Sequence, residues 1–310
     1  MTEKYRLITR AELDGVTCAA LLRELGLIEE VTFAHPKDMQ DGKIAVTNRD
    51  IIANLPWHPN AHIVFDHHAS ELERIKEQPK NLINDPTSPS AAEVIYRHYG
   101  GAARFPGISK ELMEATDKID SARVSQDEIL NPQGWVLLGF IMDNRTGLGR
   151  HRGFRITNFE LMMELIDVLR KNNNIDDILR HHDVAERVRL YAEHSKLARH
   201  QIVKCAEIKD KLVVLDFRHE PEIYSTNRFM VYAMHPGSNI SMHVMPGKAG
   251  VNTVFAVGKS VLDRSAKLDV GKLMLEYGGG GHKAVGTCQI DNDNAEKTKA
   301  ELISRIVKEG

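Results

Sequence analysis

Cysteine is scarce in this 310-residue chain: Cys18, Cys205 and Cys288 are far apart and odd in number. That argues against a disulfide framework and excludes a Cys-x-x-Cys metal or redox pair. It points to a reducing compartment, so a cytoplasmic location is expected. No run approaches the roughly 18 apolar residues of a membrane span, and the amino-terminal MTEKYRLIT carries no apolar stretch of signal-peptide length. A basic tail is missing as well. Lys and Arg number 41 against 43 Asp and Glu, a net charge of -2, which disfavours a broad cationic face for long duplex DNA. Small anionic ligands stay open, because a few local arginines suffice for them. No internal repeat and no low-complexity tract is visible.

What remains is an ordinary globular composition, 42% hydrophobic and 27% charged, with a length that suits two domains. The first third alternates short apolar strands (5–9, 31–34, 44–47, 62–65) with helical spacing at 16–27 and 90–99, the latter closed by Gly100 and Gly101. Such alternation predicts a mostly parallel sheet covered on both faces. Residues 109–200 read as mainly helical. The charged stretch 186–200, free of Gly and Pro, reads as a connecting helix. After residue 202 come strands at 211–217, 240–244 and 253–257, then helices around 270–277 and 295–307. The expected fold is α/β: a mostly parallel-sheet domain at 1–184, a linker helix at 185–204 and a smaller α/β domain at 205–310.

Five segments carry candidate chemistry. Asp66, His67 and His68 follow the strand at 62–65, where open α/β sheets place ligands. A carboxylate and two imidazoles there suit a divalent metal and a phosphate; a polar turn after a buried strand is the alternative. Glu12 and Asp14, with Gly15, stand between the first strand and first helix, and capping by Asp14 would by itself explain them. The run from Gly278 to Gly281, followed by His282 and Lys283, can aim backbone N–H groups at an anion; a flexible linker is the alternative. Asp117 and Asp120 share a helical face, usually a solvated one. Arg145, Arg150, Arg152 and Arg155 crowd a glycine-containing loop that suits phosphate or simply faces water.

In this order and spacing, the first four segments resemble the DHH phosphoesterase superfamily, in the branch with a carboxyl-terminal DHH-associated domain that includes nanoRNases, cyclic-dinucleotide phosphodiesterases and RecJ-like exonucleases. The resemblance covers nearly the whole chain. It implies that Asp14, His67 and Asp117, or alternatively Asp120, ligate a manganese ion, and that His68 contacts phosphate. It further implies that Gly279, Gly280, Gly281 and His282, with Arg264 of the second domain, hold substrate across an interdomain cleft.

The chain also departs from the family. A histidine is expected before the first acidic pair, where Arg10 stands, and Glu12 replaces the first aspartate. A bridging aspartate is expected after the next strand, where Asn48 is the anticipated occupant. Arginine stays protonated and cannot ligate a metal. One Mn2+ is therefore expected rather than two, with Mg2+ as the other choice, and Arg10 becomes a fixed phosphate clamp beside catalytic His68. The implied activity is hydrolysis of a phosphoester in a nucleotide or short oligonucleotide. The alternative is a degenerate nucleotide sensor. The identity of the substrate stays open, no membrane partner is expected, and a homodimer is compatible with the sequence.

Overall fold

A computed structural model describes residues 4–75 and 79–310. The chain divides into two compact units, one of 1–123 and 132–190, the other of 124–131 and 191–310.

The first unit is built on five parallel strands, β1 (Tyr5–Thr9), β2 (Ile28–Phe33), β3 (Asp50–Ala53), β4 (Ile63–Asp66) and β5 (Leu82–Asn84), in the spatial order β2-β1-β3-β4-β5. Their central residues, Leu7, Ile8, Ile51, Ile52, Val64 and Phe65, are buried, as expected of parallel strands covered on both faces. The helix Leu13–Glu24 is buried along almost its whole length from Leu13 to Leu22. Such all-round burial needs small side chains. A Cβ at Gly15 would stand 1.9 Å from the Arg10 carbonyl oxygen, and one at Gly139, in the helix Gly134–Met142, 2.1 Å from Ile119 Cδ1.

The second unit carries a six-stranded mixed sheet: β6 (Ala206–Lys209), β7 (Leu212–Asp216), β8 (Ile240–Pro246), β9 (Asn252–Lys259), β10 (Gly280–His282) and β11 (Val285–Asp291), ordered β10-β11-β9-β8-β7-β6. Only β7 and β8 pair in parallel. Its core gathers Val214, Met242, Val244, Phe255, Val257 and Leu302. The short helix Gln126–Leu130 belongs to this unit. Gln126 Nε2 donates to the Ala233 carbonyl at 2.8 Å, and Asn227 Nδ2 donates to the Ile129 carbonyl at 3.0 Å.

Several sequence-based boundaries shift. Residues 44–47 form no strand; the paired run begins at Asp50. The reason is an ion pair. Arg6 on β1 reaches Asp50 through Nε (2.7 Å) and Nη2 (2.9 Å), and this fixes the register. The helix that links the two units' sequences runs His182–Cys205, longer than the stretch expected from 185, and the contact boundary falls within it, after Leu190. The glycine run, expected as a loop, enters the sheet as β10. Among the described residues, no helix is long and apolar enough to cross a membrane.

Burial alone would push the Asp50 carboxyl up, but Arg6 and the Thr47 N–H hold it below the usual carboxylate range. Its contribution to stability is then complete above the unfolded-state value of about 4 and declines as pH falls through and below it. Asp50→Asn is expected to lower unfolding stability by about 1.5–3 kcal/mol in urea at neutral pH, as for a lost charged hydrogen bond. The difference from wild type should shrink in acid.

Candidate active site

The carboxyl ends of β1, β3, β4 and β5 lie on one side of the parallel sheet and collect the polar residues of the first unit. After β1 the backbone at Glu12 is extended, and Glu12 makes no side-chain cap for the helix that follows. Asp14, in the first turn of that helix, does not cap it either. Its Oδ2 accepts the Ala91 N–H at 3.1 Å and its Oδ1 the Ala92 N–H at 2.8 Å, at the start of the helix Ala91–His98. Cys18 Sγ lies 3.7 Å from Oδ1. A carboxylate bound to free amides at a helix start is well placed electrostatically.

His67 follows β4. Its Nδ1 lies 3.3 Å from the Ser88 carbonyl oxygen, which orients the ring. Its Nε2 stands 3.0 Å from Asp120 Oδ2. The approach is that of an ion pair without in-line geometry, so Nε2 is buried with no regular hydrogen-bond partner. Asp14, His67 and Asp120 bring one ligand atom each within 4.8 Å of one another. Burial first, then the nearby Asp120 charge, push the Asp14 carboxyl up to about 7. For His67, burial acts downward, yet Asp120 and Asp14 raise it to about 9. Asp120 is held below its usual range by His67 in spite of its burial. Two crowded carboxylates and an imidazole nitrogen lacking a partner form a donor set that fits a divalent cation.

Asp117 is elsewhere. Its Oδ1 accepts the Ser90 hydroxyl at 2.6 Å, burial raises it to about 6, and it is not in the three-residue cluster. Three residues along a helix turn the side chain by about 60° from perfect alignment, and here that turn gives the place in the cluster to Asp120. His68 has its Nδ1 2.8 Å from Asp66 Oδ1, which leaves Nε2 as the outer nitrogen of a partly exposed ring. Asp66, buried at the end of β4, orients it and, against the effect of burial, helps raise its pKa.

Beside the cluster, Glu12 is wrapped by cations and an amide. Arg10 Nη1 is 3.1 Å from Oε1, Asn54 Nδ2 donates to Oε1 at 3.0 Å, and Arg145 Nη2 donates to Oε2 at 3.4 Å. Asn54, at the end of β3, takes the place anticipated for Asn48, which lies in an exposed turn. The misplacement follows from the misread strand. The run Asp50–Ala53 was the available signal, since a polar residue directly after an apolar strand marks its ligand end. Of the four clustered arginines, Arg145 joins this assembly, whereas Arg155 pairs with Asp183 at 2.5 Å.

In the second unit the glycine run is not an open anion nest. The Gly278 and Gly279 N–H groups bond to the Leu275 and Met274 carbonyls, finishing the helix Val270–Glu276. Gly280 and Gly281 pair with Thr287 and Gly286. The glycines are required sterically: a Cβ at Gly279 would meet the Thr287 carbonyl oxygen at 2.0 Å, and one at Gly281 the Val285 oxygen at 2.2 Å. Gly279 is therefore no ligand donor through its N–H. His282 is exposed on edge strand β10, and exposed Arg264 donates Nε to the Val261 carbonyl at 3.3 Å.

No family model matches the chain. Among solved structures, the pGpG-specific phosphodiesterase PggH from Vibrio cholerae is 50% identical, with 99% of this chain and 100% of that one covered and a TM-score of 0.86. RecJ from Thermus thermophilus, solved with Mn2+, shares the fold at 15% identity and a TM-score of 0.53, over 99% of this chain and 52% of its own. An A-adding tRNA nucleotidyltransferase from Aquifex aeolicus is 23% identical over 217 residues, 69% of this chain; the chain spans about a quarter of that relative's length. The chain belongs to the DHH phosphoesterase superfamily, in the branch with a DHH-associated carboxyl-terminal domain.

Manganese at 100 times its dissociation constant is expected to stabilise the protein by about 2.7 kcal/mol, read as a rise in melting temperature. Asp120→Asn should abolish that rise and Asp117→Asn should retain it. The reverse pattern would return the ligand role to Asp117.

Proposed function

We propose that the chain hydrolyses the internal phosphodiester of a 5′-phosphorylated linear dinucleotide such as pGpG, releasing two 5′-mononucleotides. The observation that carries this is the 50% identity, end to end, with a phosphodiesterase specific for pGpG. The clustered Asp14, His67 and Asp120 and the oriented His68 support it.

In this reading Asp14, His67 and Asp120 hold one divalent ion, manganese before magnesium because an imidazole is among the donors. Such an ion, when bound, polarises phosphoryl oxygen and lowers the pKa of a coordinated water. The residues of the chain do the rest. Asp66 fixes the His68 ring so that its Nε2–H faces outward to the substrate. As a water oxygen bonds to phosphorus, the bond from phosphorus to the 3′ oxygen breaks, and His68 gives that oxygen its proton. The proton lost by the water restores the imidazole over the turnover. Arg10 supplies permanent positive charge for the phosphate. Arg264 and His282, exposed on the second unit, are proposed substrate contacts, with His282 acting through its side chain. The three cysteines are unpaired, in keeping with a cytoplasmic protein. Nothing in the site favours the sensor alternative, which predicts binding without cleavage.

Incubation of the purified protein with pGpG and manganese is expected to yield two pG per substrate, followed by chromatography. His68→Ala should lower kcat by about 10²–10⁴, the range for a lost general acid. Tight pGpG binding with no pG released by the folded wild type would replace this reading with the sensor.

A further inference from the structure

Glu12 is buried, and its two oxygens already serve three donors: Arg10, Asn54 and Arg145. Arg145 is held a second time, with its Nε 2.7 Å from Asp143 Oδ1. Asp143 in turn is fixed by accepting the Arg145 N–H at 2.9 Å. A guanidinium has five N–H donors in a planar fork. These contacts engage two nitrogens of Arg145 and one of Arg10, and the two side chains remain 44% and 25% exposed. Each therefore keeps an open face with donors to offer. Both pair with Glu12, two residues before Asp14, which places them beside the Asp14–His67–Asp120 cluster. Beside them Asn54 is 1% exposed, lies in the left-handed region at φ 57°, and has an Oδ1 with no partner in the protein. That acceptor calls for a donor such as a water molecule; phosphate oxygens, which accept, are left to the arginines.

A carboxylate offers about four lone-pair positions; three of those of Glu12 are taken, two of them by arginines whose charge already compensates its own. It holds two guanidiniums at the edge of the proposed metal-ligand cluster, and both side chains stay partly exposed. We propose that Arg145 is a phosphate-binding residue of this site, paired with Arg10, and that Glu12 is the positioning residue of the guanidinium pair rather than a metal ligand. The ligand is a phosphate with at least two unesterified oxygens free for a planar fork, such as the non-bridging oxygens of a phosphodiester. The assignment rests on the phosphoesterase reading for its place in turnover, but its binding part stands apart from hydrolysis.

The test uses the full-length protein. The first readout is manganese bound per chain, by equilibrium dialysis with metal analysis. Glu12→Gln should hold as many ions as wild type; loss of an ion in Glu12→Gln would make Glu12 a ligand and overturn the assignment. The second is calorimetric titration with inorganic phosphate in the absence of metal. Arg145→Ala should weaken binding by about ten- to a hundredfold, the equivalent of a lost charged hydrogen bond. Arg145→Lys, which keeps the charge without the fork, should recover only part. Wild-type affinity within twofold in Arg145→Ala, in a sample whose circular dichroism and melting match wild type, would overturn it. With pGpG as substrate, Glu12→Gln should lower kcat more than it raises KM, because the arginines stay present but misplaced. If the wild type releases no pG, the function reading falls, and ion count with phosphate affinity still decides the role of Arg145.

Discussion

A carboxylate taken out of water must be given donors, and the first unit is organised around one such group. Asp14 is buried inside the most enclosed helix of the protein, and two backbone amides at the start of the helix Ala91–His98 supply its hydrogen bonds. That bond ties the loop after β1 to the segment after β5 and brings Ser88, whose carbonyl orients His67, to the same place. Gly15, which lets the Arg10 carbonyl approach the helix, is part of the same constraint. Without the amides, burial would leave Asp14 costly and unpaired. With them, it is raised only to about 7 and stays able to share a cation with Asp120.

The neighbouring half of the site solves its charge problem differently. Where Asp14, His67 and Asp120 leave an imidazole nitrogen without a regular partner, Glu12 is held by Arg10, Asn54 and Arg145. One half is electron-rich and receptive to a cation. The other carries its own cations covalently. Placed together at the ends of parallel strands, they form a surface suited to an anion that must be held, polarised and attacked. Fixed guanidiniums need no ion from solution, but they cannot acidify a water, so they complement the carboxylate–imidazole cluster rather than duplicate it.

Much of this is legible along the chain because it follows from local rules. A polar Asp-His-His directly after a buried strand, and acidic residues between β1 and the first helix, sit where parallel sheets expose their carboxyl ends. Asn48 is a misreading because the apolar run 44–47 imitates a strand, and only the long-range Arg6–Asp50 pair sets the true register. The glycine run misleads in its form for a related reason. Its need for glycine is visible, but the cause, close packing of β10 on β11 and the finish of the helix before it, depends on residues that follow it in sequence. Segment 124–131 reads as part of the first domain but packs with the second unit, because its partners, Ala233 and Asn227, are about a hundred residues away.

Taken by itself, the sequence determined the fold class, the family resemblance and the kinds of residue available: one imidazole pair, several carboxylates at helix and strand ends, and an arginine where a histidine was expected. Only the tertiary structure decided which carboxylate of the Asp117 and Asp120 pair meets His67, which asparagine meets Glu12, and that Arg145 meets Glu12 while Arg155 pairs with Asp183. Residue type and spacing are local quantities. The choice among near-equivalent side chains is made by helix phase, strand register and burial, which exist only once distant segments have packed.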